Sequence, residues 1–459
     1  MLSRSILRRV SYDFSPYRAY HKTSSIYPRI SLPVGEHDPS DSTCRSAWFT
    51  HQLNLIDAAA PGSFAMSPLM TRSLEKLHRV IDKEMKAIGG QKVTLPCLAL
   101  GKDWKKSGRW GVMGAEMFKL QDRHEQDYCL APTHEEAITK YVASYGMIYK
   151  NYLPIMLYQI GRKYRDEMRP KHGLLRCREF EMKDLYTFDI DLEHAKKTYE
   201  TVTGAYEAIL NRLELDYVRV AASSGAMGGS VSHEFHLVSD IGEDTLYKCS
   251  HCNKSFNQEL IEEAEKLGRP FDCGLEDKNC DFTKLTAIEV CHAFILGTKY
   301  SNVFKAKYKD EFGHNHSMYM GCYGIGVTRL IAASLEILSQ AKEARWPRVI
   351  APYQILVTGS KVGDNRDKID EKAKKLCSQF TRFHHLQDEV VLANERKQSV
   401  GKSILLARFM GIPHVVVVNE QSLGCGAKYE YIDVYNDKTS MMPEHELMGL
   451  FSGLDTVVL

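Results

Sequence analysis

Residues 159–188 read QIGRKYRDEMRPKHGLLRCREFEMKDLYTF, and the reading of this stretch decides the fold. Two runs of strand-forming residues, 154–163 and 176–188, flank a charged loop with Pro170 and Gly173 at its tip, which predicts an antiparallel hairpin. Side chains two apart on a strand share a face, so Arg165 falls with Glu167. Arg176, Phe180 and Asp184, at steps of four, also fall on one face. One face of one hairpin then carries guanidinium, carboxylate and an aromatic ring. Those groups suit a nucleotide: arginine for phosphate, a ring for the base, acids for amine and hydroxyl groups. A bare Arg-x-Glu would be read as a surface hairpin laced with ion pairs; the complete pattern is more specific.

Upstream, Leu69, Met70, Leu74, Leu77, Val80, Ile81 and Met85 recur at helical spacing over 67–86, with a stop at Gly89-Gly90 and a short strand, 92–96, closed by Pro96. Downstream, 194–213 has a helical pattern. Residues 319–338 form a glycine-rich strand running into an apolar helix, with MGCYGIGVTR at 320–329. There Gly324 and Gly326 let the backbone run close to a ligand, and Arg329 opens the helix. Trp346-Pro347 marks a boundary. Beyond it 354–359, 361–380, 389–392, 401–410 and 414–419 alternate strand and helix, which predicts βαβ units in a separate α/β domain. Residues 400–403 (VGKS) end like a phosphate-binding loop, but the glycine it requires would stand at position 396, which is arginine.

The chain has 459 residues, 44% of them hydrophobic and 26% charged, and this is the composition of a globular protein of two or three domains. A net charge of +2 excludes a globally basic nucleic-acid binder, so any such contact must be local. No apolar run is long enough to cross a bilayer. The first thirty residues carry Arg4, Arg8, Arg9, Arg18, Lys22 and Arg29 against the single acid Asp13, with many serines. Read as a targeting segment, 1–30 is a mitochondrial transit peptide leading to the matrix; read blandly, it is a disordered basic terminus. In the matrix the twelve cysteines would be reduced.

Taken together, 159–188, 320–329 and 67–96 resemble motifs 2, 3 and 1 of the class II aminoacyl-tRNA synthetases, in the bacterial and organellar prolyl form. The resemblance runs from about residue 45 to the C-terminus and implies an α+β catalytic domain over 31–348. That domain has an antiparallel sheet with helices, followed by an α/β anticodon-binding domain over 349–459. It implies ATP with Mg²⁺, proline and tRNA(Pro) as partners, and a homodimer built on motif 1. By the same resemblance Arg165 meets the α-phosphate and Arg329 the γ-phosphate. Phe180 stacks on adenine, Glu167 faces the adenine edge or the tRNA end, and Glu289 holds Mg²⁺.

APTHEEAI (131–138), GGSVSHEF (228–235) and IEVCHAFILGTKYS (288–301) narrow the resemblance to proline. Proline's ammonium has two N–H donors, and a threonine oxygen with a carboxylate, here Thr133 and Glu135, can take both. Thr133 with Glu136 also fits a helix capping box, so the same residues have a structural reading. Asp184 and His292 would line the amino-acid side, and Cys291 stands where the family usually has glycine.

Cys249-x2-Cys252 and Cys273-x6-Cys280 are either the ligands of a structural zinc or four reduced thiols in a loop-rich interval. That interval, 248–286, is too short for the editing domain that bacterial relatives carry here, so hydrolysis of alanyl-tRNA in cis is not expected. Glu395, Arg396 and Lys402 would face the anticodon, or form a solvated charged turn. Two rivals remain: a class II synthetase for threonine or glycine, and a non-catalytic accessory protein. The second should have lost the two ATP arginines, which this chain keeps.

Overall fold

In the computed structural model, residues 20–22, 44–223, 231–252, 254–266, 281–359, 364–393 and 399–458 are described. The expectations for Cys273, Cys280, Glu395, Arg396 and most of the basic leader lie outside these residues. The chain forms two compact units. The larger runs from residue 44 to 352 with Arg408–Gly411; the smaller comprises 353–407 and 412–458, together with 20–22.

In chain order the main elements of the larger unit are α1 (Pro68–Ala87), β1 (Gln91–Lys92), α2 (Glu135–Ala143), β2 (Ile155–Tyr164), β3 (Glu179–Asp189), α3 (Leu192–Arg212), β4 (Val218–Ala221), β5 (Val231–Val238), β6 (Asp244–Cys249), β7 (Ser255–Asn257), β8 (Phe282–Gly297), β9 (Tyr319–Gly326) and α4 (Val327–Leu338). Ser67 caps α1, its hydroxyl accepting from the Met70 amide at 3.3 Å. All seven apolar positions of the predicted stripe are buried, at on the order of 2 kcal/mol each. After α1 the chain turns at Gly89, whose φ of +87° favours glycine. The strand expected over 92–96 is shorter than its pattern. Only Gln91 and Lys92 pair with β2, and the Leu95 amide bonds to the Gln159 side chain at 3.0 Å.

The predicted hairpin is β2 and β3, antiparallel from Tyr164 opposite Glu179 to Ile155 opposite Phe188. β3 begins three residues later than the pattern suggested, because Arg176 bridges Lys171 within the connecting loop. The whole sheet runs β5-β4-β7-β6-β8-β9-β3-β2-β1. β5 also pairs with β8, so strands β4 to β8 close on themselves in a ring that the sequence pattern did not reveal.

One face of the sheet is covered by α3, which lies across β3, β9 and β8 and packs on α1. Lys183 points to that side: it is fully buried and its ammonium donates to the Tyr206 hydroxyl at 2.5 Å and the Tyr323 carbonyl at 3.1 Å. Burial pulls its pKa down to about 7. Cys291 belongs to the same cross-strand row, linked to Lys183 through Ile325. Cys291, in this row, is buried.

The smaller unit contains β10 (Ile355–Gly359), α5 (Arg366–Phe380), β11 (Val390–Leu392), α6 (Val400–Met410) up to Ala407, β12 (His414–Val418), β13 (Lys428–Asp433), β14 (Lys438–Pro443) and α7 (Glu444–Ser452). β10 lies between β11 and β12 with both pairings parallel, as the alternating pattern predicts. The antiparallel hairpin β13–β14 and α7 extend the unit beyond that pattern. At the other edge, His21 and Lys22 pair in parallel with Val391 and Leu392. No helix among the described residues is long and apolar enough to cross a membrane.

Candidate active site

The sheet face away from α3 carries the site. A single rung crosses five strands: Gln159 on β2, Asp184 on β3, Gly324 on β9, His292 on β8 and Glu234 on β5. Pleating puts Phe180 and Met182 on the same face as Asp184, and Cys322 and Gly326 on the same face as Gly324. At the centre of the rung Gly324 has no side chain. A Cβ there would stand 3.5 Å from the Met182 sulfur and fill the floor between Asp184 and His292. Above this floor lies a cavity of about 330 Å³.

Two guanidinium groups face it. Arg165 follows the end of β2 and stacks its cation over the Phe180 ring at 5.3 Å. Its Nε is buried without a hydrogen-bond partner among the described residues. Burial and the nearby Arg329 both oppose its charge. Arg329, in the first turn of α4, donates to the carbonyls of Leu175 at 3.1 Å and Glu289 at 3.2 Å, and its Nη1 lies 3.4 Å from the Glu289 carboxylate. Gly326 makes room for it, since a Cβ there would come within 3.3 Å of the Arg329 Cβ. Two cations beside an unpartnered buried donor make an anion site. Glu167 lies at the same wall, held by Arg176 at 2.9 Å.

Glu289 and His292 are three apart, which on a regular strand would send them to opposite faces. A bulge at Val290, where β8 slips against β5, brings them to one face with 3.0 Å between the imidazole Nδ1 and the carboxylate. The His292 Nε2 meets the Ser232 hydroxyl at 2.7 Å, and its ring stacks on Phe294 at 3.8 Å. Burial would raise the Glu289 pKa, but the hydrogen bond and charge of His292, with Arg329, hold it well below the ordinary range. Glu234 stands 3.6 Å from the same imidazole, and the three residues present their ligand atoms within 4.8 Å of one another.

On the opposite side Asp184 is paired with buried Lys163 at 2.7 Å and accepts from Gln159 at 3.0 Å. Thr133 lines the cavity and donates its hydroxyl proton to Glu135 at 2.8 Å. Glu135 is fully buried and stands one layer behind the wall, where it also accepts from Arg109 at 2.9 Å and the Cys322 thiol at 3.2 Å. The capping box read for Thr133 and Glu136 does not form. His134 occupies the cap position of α2 without a side-chain cap, and Glu136 turns to Ser107 at 2.7 Å and to Arg109.

Ten of the residues singled out from sequence thus meet at one cavity: Arg165, Arg329, Glu167, Phe180, Glu289, Gly324, Gly326, Thr133, Asp184 and His292. Glu135 reaches it only through Thr133. Cys249 and Cys252 lie apart on the β6–β7 turn, the first buried and the second half-buried, while Lys402 is exposed on α6. Sequence reading missed Arg109, which lines the cavity from the Ser107-Gly108-Arg109-Trp110 stretch. Nothing in that stretch marks it, because its partners lie 26 and 27 residues away.

The model of the class II tRNA synthetase core domain (G, H, P, S and T) matches residues 118–338. The chain is 41% identical over 423 residues to the mitochondrial proline–tRNA ligase of Homo sapiens, covering 91% of this chain and 86% of that protein. It is 40% identical over 371 residues to the mitochondrial proline–tRNA ligase of Schizosaccharomyces pombe, covering 80% and 84%. The proline–tRNA ligase of a Drosophila simulans Wolbachia is 32% identical over 423 residues, covering 91% and 96%. Among solved structures, a Giardia lamblia prolyl-tRNA synthetase in complex with prolyl-adenylate superposes with a TM-score of 0.72 at 17% identity, over 87% of this chain and 75% of that one. A Cryptosporidium parvum prolyl-tRNA synthetase complexed with L-proline and AMP gives 0.69 at 15% identity, over 92% and 79%.

Proposed function

Because the chain belongs to the proline–tRNA ligase family of the class II aminoacyl-tRNA synthetases, we propose that the cavity on the open sheet face is where its two-step reaction takes place. The enzyme joins L-proline to tRNA(Pro) at the expense of ATP, through prolyl-adenylate, in mitochondrial translation. First the proline carboxylate attacks the α-phosphorus and pyrophosphate leaves; then the terminal ribose hydroxyl of the tRNA takes the prolyl group and AMP leaves. Little covalent work falls to the protein. Its task is to align the carboxylate with the phosphorus and to meet developing phosphate charge with fixed cations.

The observation that carries this reading is the buried, unpartnered Nε of Arg165 beside Arg329. Arg165 binds the α-phosphate and Arg329 the γ-phosphate, while Phe180 stacks on adenine and Glu167 faces the adenine edge or the tRNA end. Thr133 accepts from proline's ammonium, with the Glu135 charge behind it, and Asp184 and His292 bound the proline ring. Glu289, with Glu234, offers the oxygen ligands that suit Mg²⁺, which the imidazole of His292 does not. Bound there with ATP, Mg²⁺ would neutralise phosphate charge.

The smaller unit takes the anticodon, through Lys402 and, outside the described residues, Glu395 and Arg396. Cys249 and Cys252, both on one turn, supply half of a structural zinc site completed by Cys273 and Cys280, outside the described residues. A second copy docks through motif 1, residues 67–96, with exposed Leu98 just beyond it. Residues 1–30 direct the precursor to the matrix, so the pairing of His21 and Lys22 belongs to the uncleaved chain.

One preparation lacking residues 1–30 tests these points. Exchange of labelled pyrophosphate into ATP is expected with proline, and more weakly but measurably with alanine, since a pocket rejects a smaller side chain by only about 1–3 kcal/mol per methylene. It should be at background with threonine; equal exchange with threonine or glycine would overturn the site reading. Light scattering should give twice the chain mass. Metal analysis should give one zinc per chain, lost on Cys252→Ser; a metal-free protein of full activity excludes the zinc site.

A further inference from the structure

We infer that Arg109 is the positioning residue for recognition of the substrate amine: it holds Glu135 so that the Thr133 hydroxyl offers a lone pair, and not its proton, to the cavity. Gly108 begins the placement. Its φ of +79° makes a turn between the short helices Gly101–Lys106 and Arg109–Val112, and a Cβ there would meet nothing within 4 Å, so backbone conformation is what calls for glycine. The turn sends Arg109 inward, where only 2% of it is exposed. The guanidinium lies over the Trp104 ring at 4.8 Å and the Tyr300 ring at 5.7 Å. Its Nη1 reaches Glu135 at 2.9 Å and both oxygens of Glu136 at 3.3 Å.

A hydroxyl has one proton and two lone pairs, and the proton goes to the strongest acceptor in reach. Thr133 lies 2.8 Å from each oxygen of the Glu135 carboxylate, so its proton is committed backwards; the Tyr186 hydroxyl, 3.4 Å away, can donate to one lone pair, and the other is left for the cavity. That commitment requires the carboxylate to stay put, and an isolated buried carboxylate would rotate or take up a proton. Arg109 and the Cys322 thiol, 3.2 Å away, hold it from two sides. The Glu135 carboxylate, kept charged by Arg109 and the Thr133 hydroxyl, stands behind Thr133 and matches an ammonium on the cavity side. The segment carrying Arg109 also supplies Met113 and Glu116 to the cavity wall, so the charge network and the wall are set by one piece of chain.

This inference rests on the placement of proline's ammonium at Thr133, and the test separates the two. Pyrophosphate exchange is measured for wild type, Arg109→Lys and Thr133→Ala. Tetrahydrofuran-2-carboxylate, which has oxygen in place of the ring nitrogen and therefore no ammonium, serves as a competitive inhibitor. Lysine keeps the charge but puts it on a flexible stem, without the rigid planar group that fixes the carboxylate. For Arg109→Lys the KM for proline should rise at least 20-fold, while the KM for ATP and the Ki of the oxygen analogue stay within twofold. A parallel rise in all three constants would mean a merely structural role and would overturn the inference, as would an unchanged KM for proline. If Thr133→Ala raises the KM for proline and Arg109→Lys does not, only the role of Arg109 falls; if neither does, the placement of the amine falls as well. Should Arg109→Lys not fold, the double variant Arg109→Gln/Glu136→Gln leaves the net buried charge unchanged and is read by the same constants.

Discussion

Arg165→Ala is expected to lower proline-dependent pyrophosphate exchange by at least about three orders of magnitude while leaving the fold in place. An arginine that meets charge on a transferring phosphoryl group is worth about 10³ to 10⁵ in rate. Three orders of magnitude correspond to about 4 kcal/mol of transition-state stabilisation. The fold should survive because the side chain does little for it. Its Nε has no partner among the described residues, burial and Arg329 work against its charge, and its aromatic contact with Phe180 contributes on the order of 1 kcal/mol. What the structure needs from this position is its backbone, where the Arg165 amide donates to the Arg178 carbonyl at 2.9 Å, and alanine keeps that bond. The checks are exchange kinetics together with circular dichroism and thermal melting. Exchange within tenfold of wild type would remove Arg165 from the reaction.

Glu135→Gln should lower kcat/KM for proline by about 10²-fold and destabilise the protein, two effects with separate causes. Amide for carboxylate removes the Arg109–Glu135 ion pair from a buried setting, and breaking a buried pair costs about 3–5 kcal/mol. Burial disfavours the charge of Glu135, but Arg109 and the Thr133 hydroxyl outweigh it and lower the pKa. A carboxylate lowered in the folded state stabilises fully above its unfolded value of 4.5 and loses this only as pH falls through the folded value. At neutral pH, then, the deficit of the variant reflects a missing charge and not protonation. Glu136 is shifted the other way, by burial first and by its neighbour Glu135, so acid titration of the pair begins at Glu136. Adding Arg109→Met and Glu136→Gln to Glu135→Gln removes the buried charges together and should restore much of the stability without restoring affinity for proline. Recovery of both would make Glu135 a purely structural residue. Urea unfolding and exchange kinetics at saturating ATP provide the two measurements.

Much of this was legible because it is local. The period of the 67–86 stripe placed all seven core residues of α1, and the two-residue period of a strand put Phe180 and Asp184 on one face before any partner strand was known. Gly324, Gly326 and Arg329 were legible as a strand-to-helix passage for the same reason. Residue type also told the chemistry, since guanidinium groups and a ring on one hairpin suit few ligands besides a nucleotide.

The rest depends on contacts between residues far apart in the chain. The parity rule would separate Glu289 from His292, and only the slip of β8 against β5 brings them to one face. Thr133 and Glu135 are two apart, yet one lines the cavity and the other lies behind it, because Arg109 and Cys322 draw the carboxylate inward. Cys291 lines the cavity, and only the register shows that it shares a cross-strand row with Lys183. The ring of β4 to β8 and the hairpin β13–β14 escaped notice because short strands with weak alternation are stabilised by their neighbours more than by their own pattern. By itself the sequence determined which elements form and which chemistry they carry, since both follow from backbone periodicity and side-chain type. Which of those side chains touch the cavity was decided by the tertiary structure, because strand register and buried charge pairing are set by residues distant in sequence.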